Sequence, residues 1–173
     1  YSQDNLGGLL CDEFTISFSI LACDNVTNGG TIGSDQVACG VSSFDPAPLT
    51  NITFPTGGSG TIEYMWLKAT GSTCPPIGDP AWTTISGANL ATYDPPSITA
   101  STCYMRCSRR AGCQDWDGES NRISVVFNPG ITLTETHVNV LCNGNSTGSI
   151  NLSVSGGTSP YTYVWSNGAT TQD

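Results

Sequence analysis

A ten-residue pattern occurs twice in the chain and constrains its fold more than any other feature. The first copy, GGSGTIEYMW, occupies residues 57–66, and the second, GGTSPYTYVW, occupies residues 156–165. Two glycines, a tyrosine and a tryptophan match without a gap at one offset (156 − 57 = 99). A repeat at roughly domain spacing is typical of tandem copies of one structural unit. Repeated units build length, display or adhesion more often than they build an active site.

The length of the chain fits one large domain, or one small domain with part of another. The sequence begins at Tyr1 and ends at Asp173, soon after the second tryptophan. If each unit is an all-β module of ~100 residues, the second unit stops about halfway. We therefore expect the sequence to be an excerpt of a longer polypeptide. It contains no apolar run long enough to predict a membrane span.

The charge composition argues against nucleic acid as a partner. Charged residues make up 11% of the chain, the net charge is −9, and Lys68 is the single lysine. Phosphate binding needs clustered lysine and arginine. Arg106, Arg109 and Arg110 do cluster, but in so acidic a chain they favour a local surface pairing.

The cysteines point to an oxidising compartment. The chain has eight cysteines, no CxxC pair, and a single histidine, His137, so zinc-ligand spacings are absent. Disulfides explain this content better, which predicts an extracellular, cell-surface protein. Four Asn-x-Ser/Thr triplets agree with that location; they begin at Asn25, Asn51, Asn145 and Asn151.

Short alternating segments separated by turn residues predict an all-β fold. Residues 14–22, FTISFSILA, alternate apolar and polar residues, as do several later segments, and none has a helical period. About seven short strands with turns every 8–12 residues predict tandem immunoglobulin-like (PKD-like) β-sandwich modules, the second incomplete. The predicted division is residues 1–22 as the end of a preceding β module or a leading strand, 23–128 as the sandwich, and 129–173 as the incomplete module, with a linker at residues 128–130.

The order of cysteine and tryptophan residues suggests a disulfide pattern. Cys39 precedes Trp66, and Cys103 and Cys107 follow it, in the Cys…Trp…Cys order of an immunoglobulin-like sandwich. This order favours a Cys39–Cys107 cystine, with Cys39–Cys103 as a close alternative. Cys74 and Cys113 are candidates for tying two loops together. The alternatives stay open, because eight cysteines allow 105 full connectivities.

The aromatic residues divide into core candidates and ligand candidates. Repetition at equivalent positions favours core packing over a sugar-binding stripe for Trp66, Tyr64, Trp165 and Tyr163. Two other tryptophans, Trp116 and Trp82, are possible contacts for a sugar or a partner protein. For Trp116 the alternative is a side chain folded back onto the edge of the sandwich.

The remaining candidate sites concern metal binding and turns. Asp115, Asp117 and Glu119 alternate around Gly118 and form a candidate calcium site, although the full calcium-loop pattern is missing. The alternative is an acidic hairpin tip with an Asp-Gly turn. The repeated Gly-Gly pairs precede strands, so they predict tight turns with positive φ and not phosphate-binding loops. His137 lies in strand-like sequence with no nucleophile motif nearby, and we predict no catalytic residues and no bound cofactor.

The C-terminal segment resembles a known family of repeats. Residues 142–173 read CNGNSTGSINLSVSGGTSPYTYVWSNGATTQD and are similar to the first half of a SprB-type repeat. Such repeats occur in very large surface adhesins of gliding bacteria of the Bacteroidetes. Residues 23–128 resemble the Ig-like module often found beside these repeats. The matching positions are Gly57-Gly58, Tyr64-x-Trp66, Gly87-Ala88, Tyr93-Asp94-Pro95, Tyr104-x-Arg106 and Glu119-Ser120-Asn121.

This resemblance implies export through the type IX secretion system, display at the cell surface, and a role in adhesion, gliding or prey capture. We therefore predict a non-enzymatic structural or adhesive segment of a large extracellular filament or adhesin. The alternative is a carbohydrate-binding module of a secreted multidomain enzyme, which needs exposed, coplanar aromatic residues. The expected partners are neighbouring modules of the same long chain, identical subunits in a filament, and surface glycans or proteins of a target.

Overall fold

The computed structural model describes residues 23–172, in which all regular elements are β-strands. The predicted all-β fold class is confirmed. The strand predicted at residues 14–22 and Cys11 lie outside the described residues. The strands are β1 (Thr31–Ile32), β2 (Gln36–Val41), β3 (Asn51–Thr53), β4 (Ile62–Thr70), β5 (Thr83–Thr84), β6 (Thr102–Arg110), β7 (Gly118–Pro129), β8 (Thr132–Val138) and β9 (Ser149–Ser155).

Five of these strands form the larger layer of a sandwich, in the order β2-β7-β6-β4-β5. β6 is the central strand and pairs antiparallel with both β4 and β7. β2 joins the edge of β7 in parallel, so an early and a late segment of the sandwich lie side by side. Because side chains alternate along a strand, β6 directs Tyr104 and Arg106 to one face and Met105 and Cys107 to the other.

The second layer is smaller and is built from β1, β3 and two isolated bridges. β1 and β3 pair antiparallel, and further along the chain Phe44 bridges Ile98 and Leu49 bridges Tyr93. The Asn121 side chain of β7 joins the layers, since its amide accepts from Ile32 N at 2.7 Å and donates to Ile32 O at 3.1 Å. The core between the layers contains Ile32, Leu49, Trp66, Ile98, Tyr104, Ile123, Val125 and Phe127.

Trp66 lies at the centre of this core with none of its surface exposed. Its ring centroid is 5.5 Å from that of Tyr93, and its indole Nε1 donates a hydrogen bond of 2.9 Å to Leu90 O. Burial of a tryptophan is favourable when its single polar group has a partner, as it does here. The first copy of the repeated motif therefore supplies the main aromatic residue of the sandwich.

The sandwich extends into the segment that the sequence predicts as a linker. Asn128 and Pro129 belong to β7, where they lie opposite Cys39 and Val41 of β2. Gly130 N continues this contact by donating to Val41 O at 3.3 Å. Proline is tolerated at this position because it ends the strand, where a missing N–H donor interrupts no further pairing. The linker prediction is wrong for Asn128 and Pro129.

The second copy of the motif has a more open environment. β8 and β9 form a two-stranded antiparallel sheet; one face is rich in Ser and Thr, and the other carries four apolar residues together with Glu135 and His137. Tyr163 and Trp165 lie outside any strand and are half-buried, in contrast to Trp66. Both Gly-Gly pairs have positive φ, as predicted: 91° and 62° in the first copy, 73° and 62° in the second. The turn of the motif is thus common to both copies, whereas the strand is not.

The difference between the two tryptophans gives a stability test. Trp66→Ala leaves a large cavity in the core and should lower the free energy of unfolding by about 3–5 kcal/mol. Trp165→Ala is the matched control and should have a much smaller effect, because Trp165 is already half-exposed. Urea unfolding followed by circular dichroism measures both. Equal losses in the two variants would contradict the core role assigned to Trp66.

Candidate functional site

Residues 23–172 contain two disulfides, and both differ from the predicted pairs. Cys23 pairs with Cys113 and Cys74 with Cys103, with Cα–Cα distances of 5.5 and 5.4 Å. The remaining described cysteines are free thiols: Cys39 and Cys142 are exposed, and Cys107 is buried. The predicted pairs Cys39–Cys107, Cys39–Cys103 and Cys74–Cys113 are therefore wrong.

The sheet order explains why Cys39 is not bonded to β6. Cys39 lies on β2 and Cys107 on β6, and β7 separates these strands within one sheet. Two strand spacings amount to ~10 Å, beyond the Cα–Cα reach of a disulfide. The immunoglobulin-like pattern requires the two cysteines to be in facing sheets, and here they share a sheet.

The Cys23–Cys113 cystine is reinforced by Asn25. The Asn25 amide nitrogen donates to Asp115 O at 2.8 Å and to an Asp117 carboxylate oxygen at 2.7 Å. Its amide oxygen accepts from Arg110 N at 2.8 Å. One side chain thus attaches the segment after Cys23 to both sides of the β6–β7 loop. The sequence around Asn25 indicates only a possible glycosylation site, because a contact across about 90 residues leaves no local signal.

The acidic candidates of this loop are not arranged as a metal cluster. Within residues 23–172, no group of three or more His, Cys, Asp or Glu side chains converges as a set of ligands. The Asp117 carboxylate accepts the Asn25 hydrogen bond, and Glu119 lies within β7, opposite Cys107. Calcium binding by Asp115, Asp117 and Glu119 stays a prediction that this arrangement does not strengthen.

Trp116 lies at the same loop and contacts a charged pair. The Arg109 guanidinium carbon is 4.3 Å from the centroid of the Trp116 ring, within cation–π range. Arg109 Nε also donates to a Glu63 carboxylate oxygen at 2.8 Å. The ring is half-buried and one of its faces is covered by Arg109, which reduces the area that it presents to a ligand.

Trp82 lies at the other end of the sheet. Its indole donates to Pro76 O at 2.9 Å, and the next residue, Thr83, pairs with Lys68 on β4. Glu63, the ion-pair partner of the Arg109 that covers Trp116, is five residues before Lys68 on β4, a distance of ~17 Å along the strand. The two tryptophans therefore do not form a shared flat platform of the kind that a carbohydrate-binding module needs.

Arg106 is a buried cation that joins the two layers. It is fully buried, and it donates to Gly29 O at 3.0 Å and to Ala91 O at 2.9 Å, with a further bond to the Asn51 side chain. Its guanidinium carbon lies 5.1 Å from the Tyr64 ring centroid. Burial lowers the pKa of Arg106, because the charged form loses hydration. Its Nε has no hydrogen-bond partner.

The other arginines donate to the backbone of surface loops. Arg110 Nε donates to Gly57 O at 2.9 Å, which holds the first Gly-Gly turn against β6. Arg122 donates to Pro75 O at 2.6 Å beside the Cys74–Cys103 cystine. The arginines that are close together in the sequence thus do not form one basic patch; their guanidinium groups donate to different loops of the same chain.

The remaining prediction concerns His137. It is exposed on β8, and its Nδ1 lies 3.1 Å from a carboxylate oxygen of the equally exposed Glu135. Neither residue is part of a buried network.

No helix within residues 23–172 is long and apolar enough to cross a membrane.

Two family models match the chain, one over each part of the structure. Residues 28–129, which contain the whole sandwich from β1 to β7, match a domain of unknown function, DUF8696. This match covers more than half of the chain. The chain belongs to the DUF8696 family. Residues 134–170, just after the DUF8696 domain, match the SprB repeat, which supports the predicted resemblance. No curated protein and no solved structure gives a significant match.

The SprB repeat is a structural surface repeat, and together with two disulfides it suggests an extracellular or cell-surface, adhesin-like protein. The first copy of the ten-residue motif falls in the DUF8696 domain and the second in the SprB match. The two copies of the motif therefore lie in segments of this chain that match different families. The division of the chain at residues 128 and 129 stays a prediction.

The three free thiols within residues 23–172 should differ in reactivity. Burial, with a smaller effect of Glu119, raises the pKa of Cys107 from 9.0 to about 11. At pH 8 this lowers its thiolate fraction about 100-fold relative to an unshifted thiol. Iodoacetamide at pH 8 should label Cys39 and Cys142 in the folded DUF8696 domain and SprB segment, and Cys107 only after unfolding. Peptide mass mapping reads out both this pattern and the two cystines, and rapid labelling of native Cys107 would contradict its burial.

The buried guanidinium gives a second prediction. Arg106→Lys keeps the positive charge but loses the planar set of donors, which leaves buried acceptors without partners. We expect the DUF8696 domain to lose about 3 kcal/mol of unfolding free energy, because each orphaned buried group costs ~1–3 kcal/mol. Arg122→Lys is the control at an exposed position and should change stability by less than ~1 kcal/mol. Urea titrations of both variants test this, and indistinguishable midpoints would contradict the bridging role of Arg106.

Proposed function

We propose that this chain is a non-enzymatic structural and adhesive segment of a large cell-surface filament or adhesin, exported by the type IX secretion system of a member of the Bacteroidetes. The observation that carries the proposal is the SprB match directly after a disulfide-bonded β-sandwich. The protein's contribution is mechanical and interfacial: the sandwich acts as a rigid unit, and its exposed loops and strands form the contact surface.

The construction of the sandwich supports a location outside the cytoplasm. Disulfides persist in extracellular and surface proteins and are rare where thiol reductants are abundant. Both cystines join segments distant in sequence, with separations of 90 and 29 residues. In the chain-entropy description, such cross-links stabilise a domain by restricting its unfolded state, and more so for longer loops. This suits a module that is displayed beyond the reach of cellular chaperones.

The surface composition supports the same role. Only 11% of the residues are charged, and the outward face of the β8–β9 sheet consists of threonine, serine and asparagine apart from Val138. This face of the sheet offers hydrogen-bonding groups and carries no charged side chain of its own. We propose surface glycans or proteins of a target as contacts, with neighbouring modules and identical subunits as partners within the filament.

Antibody labelling of intact cells tests this proposal. Antibodies raised against the purified chain should label unpermeabilised cells that produce the parent protein, and external protease should remove the label. Deletion of a core component of the type IX secretion system should abolish surface labelling while the protein accumulates inside the cell. An antibody against a periplasmic protein is the control for cell integrity. Labelling that appears only after permeabilisation would overturn the proposed location.

A further inference from the structure

The Cys23–Cys113 cystine closes a covalent ring around most of the sandwich. We call residues 23–113 the ring; it spans a separation of 90 residues and contains the strands from β1 to β6. β7 begins at Gly118, after the closing cysteine. Of the five strands in the larger sheet, β7 alone therefore lies outside the ring, although it is paired on both sides with strands inside it.

This connectivity determines where a pulling force travels. A force applied to the chain before Cys23 crosses the cystine to Cys113 without passing through residues 24–112. It then leaves along residues 113–129, most of which form β7. A β-strand already rises ~3.3 Å per residue, and a fully extended chain reaches at most ~3.6 Å. The loaded segment is therefore close to its maximum length while the domain is still folded.

We propose that the sandwich is a nearly inextensible link, in which the Cys23–Cys113 cystine and β7 carry tension while the ring stays folded around them. The biological use of this property rests on the proposed function, since a surface filament is a structure that is pulled. Asn25 supports the arrangement, because its bonds to Asp115 and Asp117 hold the loaded loop beside the cystine.

The second cystine has a different mechanical role. Cys74–Cys103 lies entirely within the ring, so it bears no tension as long as Cys23–Cys113 is intact. If the first cystine opens, the force passes through the ring and reaches the second one. Opening of Cys23–Cys113 then adds 90 − 29 = 61 residues to the stretched length of the chain. The other 29 residues are added only when Cys74–Cys103 opens. The structure therefore predicts a fixed order of release.

Single-molecule stretching of a polypeptide of residues 1–173, held at residues 1 and 173, tests this proposal. Without reductant, the Cys23→Ser/Cys113→Ser variant should reach a final contour length ~22 nm greater than the wild type, at ~3.6 Å for each of the 61 released steps. Cys142→Ser is the matched control, because it removes an exposed free thiol and keeps both cystines. It should give the wild-type length. Equal lengths for the double variant and the wild type would overturn the proposal.

Reduction under constant force gives an independent measurement that needs no variant. After a reductant is added, the stretched wild-type chain should lengthen first by ~22 nm and then by ~10 nm, the two loop lengths at ~3.6 Å per residue. A ~10 nm step before the ~22 nm step would show that Cys74–Cys103 bears the tension and would overturn the proposed path. This result is separate from the cell-labelling test: failed surface labelling with the expected steps refutes the location but leaves the mechanical link intact.

Discussion

The contact between Arg106 and the facing layer is the interaction on which the sandwich depends. The guanidinium reaches from the central strand β6 to the carbonyls of Gly29 and Ala91, which belong to distant parts of the smaller layer. In the part of the chain that the structure describes, no carboxylate pairs with this charge; backbone carbonyl groups and the face of Tyr64 stabilise it instead. A cation held in this way is costly to bury and costly to remove. The buried guanidinium therefore favours a single arrangement of the two layers. Apolar packing alone is less directional and would specify that arrangement less well.

Arginine side chains also hold the loops in place by donating hydrogen bonds to backbone carbonyl groups. The chain has few charges, and its arginines act mainly as donors to carbonyl groups, as the contacts of Arg110 with Gly57 and of Arg122 with Pro75 illustrate. Loop carbonyls need such partners because irregular segments lack the pairing that strands provide. Together with the two cystines, these arginine side chains fix the loops that the short strands alone would leave less constrained. Short strands alone, such as the two-residue β1 and β5, would contribute little.

Alternation of apolar and polar residues predicts strands, because successive side chains of a strand point to opposite faces; β4 has this pattern, with Ile62, Tyr64 and Trp66 on one face. The Gly-Gly turns were predictable for a similar reason, since positive φ strongly favours glycine. The disulfide pairs were not predictable. The failure of the predicted Cys39 pairs depends on β2 joining β7 in parallel, which places Cys39 in the same sheet as β6; the paired residues Gln36 and Val125 are 89 positions apart in the sequence. The role of Asn25 was hidden for the same reason, because its partners become neighbours only in the folded chain.

The Gly-Gly turns also bear on how such a protein changes over evolutionary time. A Cβ atom added to Gly57 would collide with Thr27, and one added to Gly156 would collide with the carbonyl of Gly130. Substitutions at these positions are therefore removed by selection for folding, irrespective of what the protein binds. The exposed threonines and serines of β8 and β9 have no such restriction. The outward side chains of β8 and β9 can thus vary between related proteins while the Gly-Gly turns stay the same.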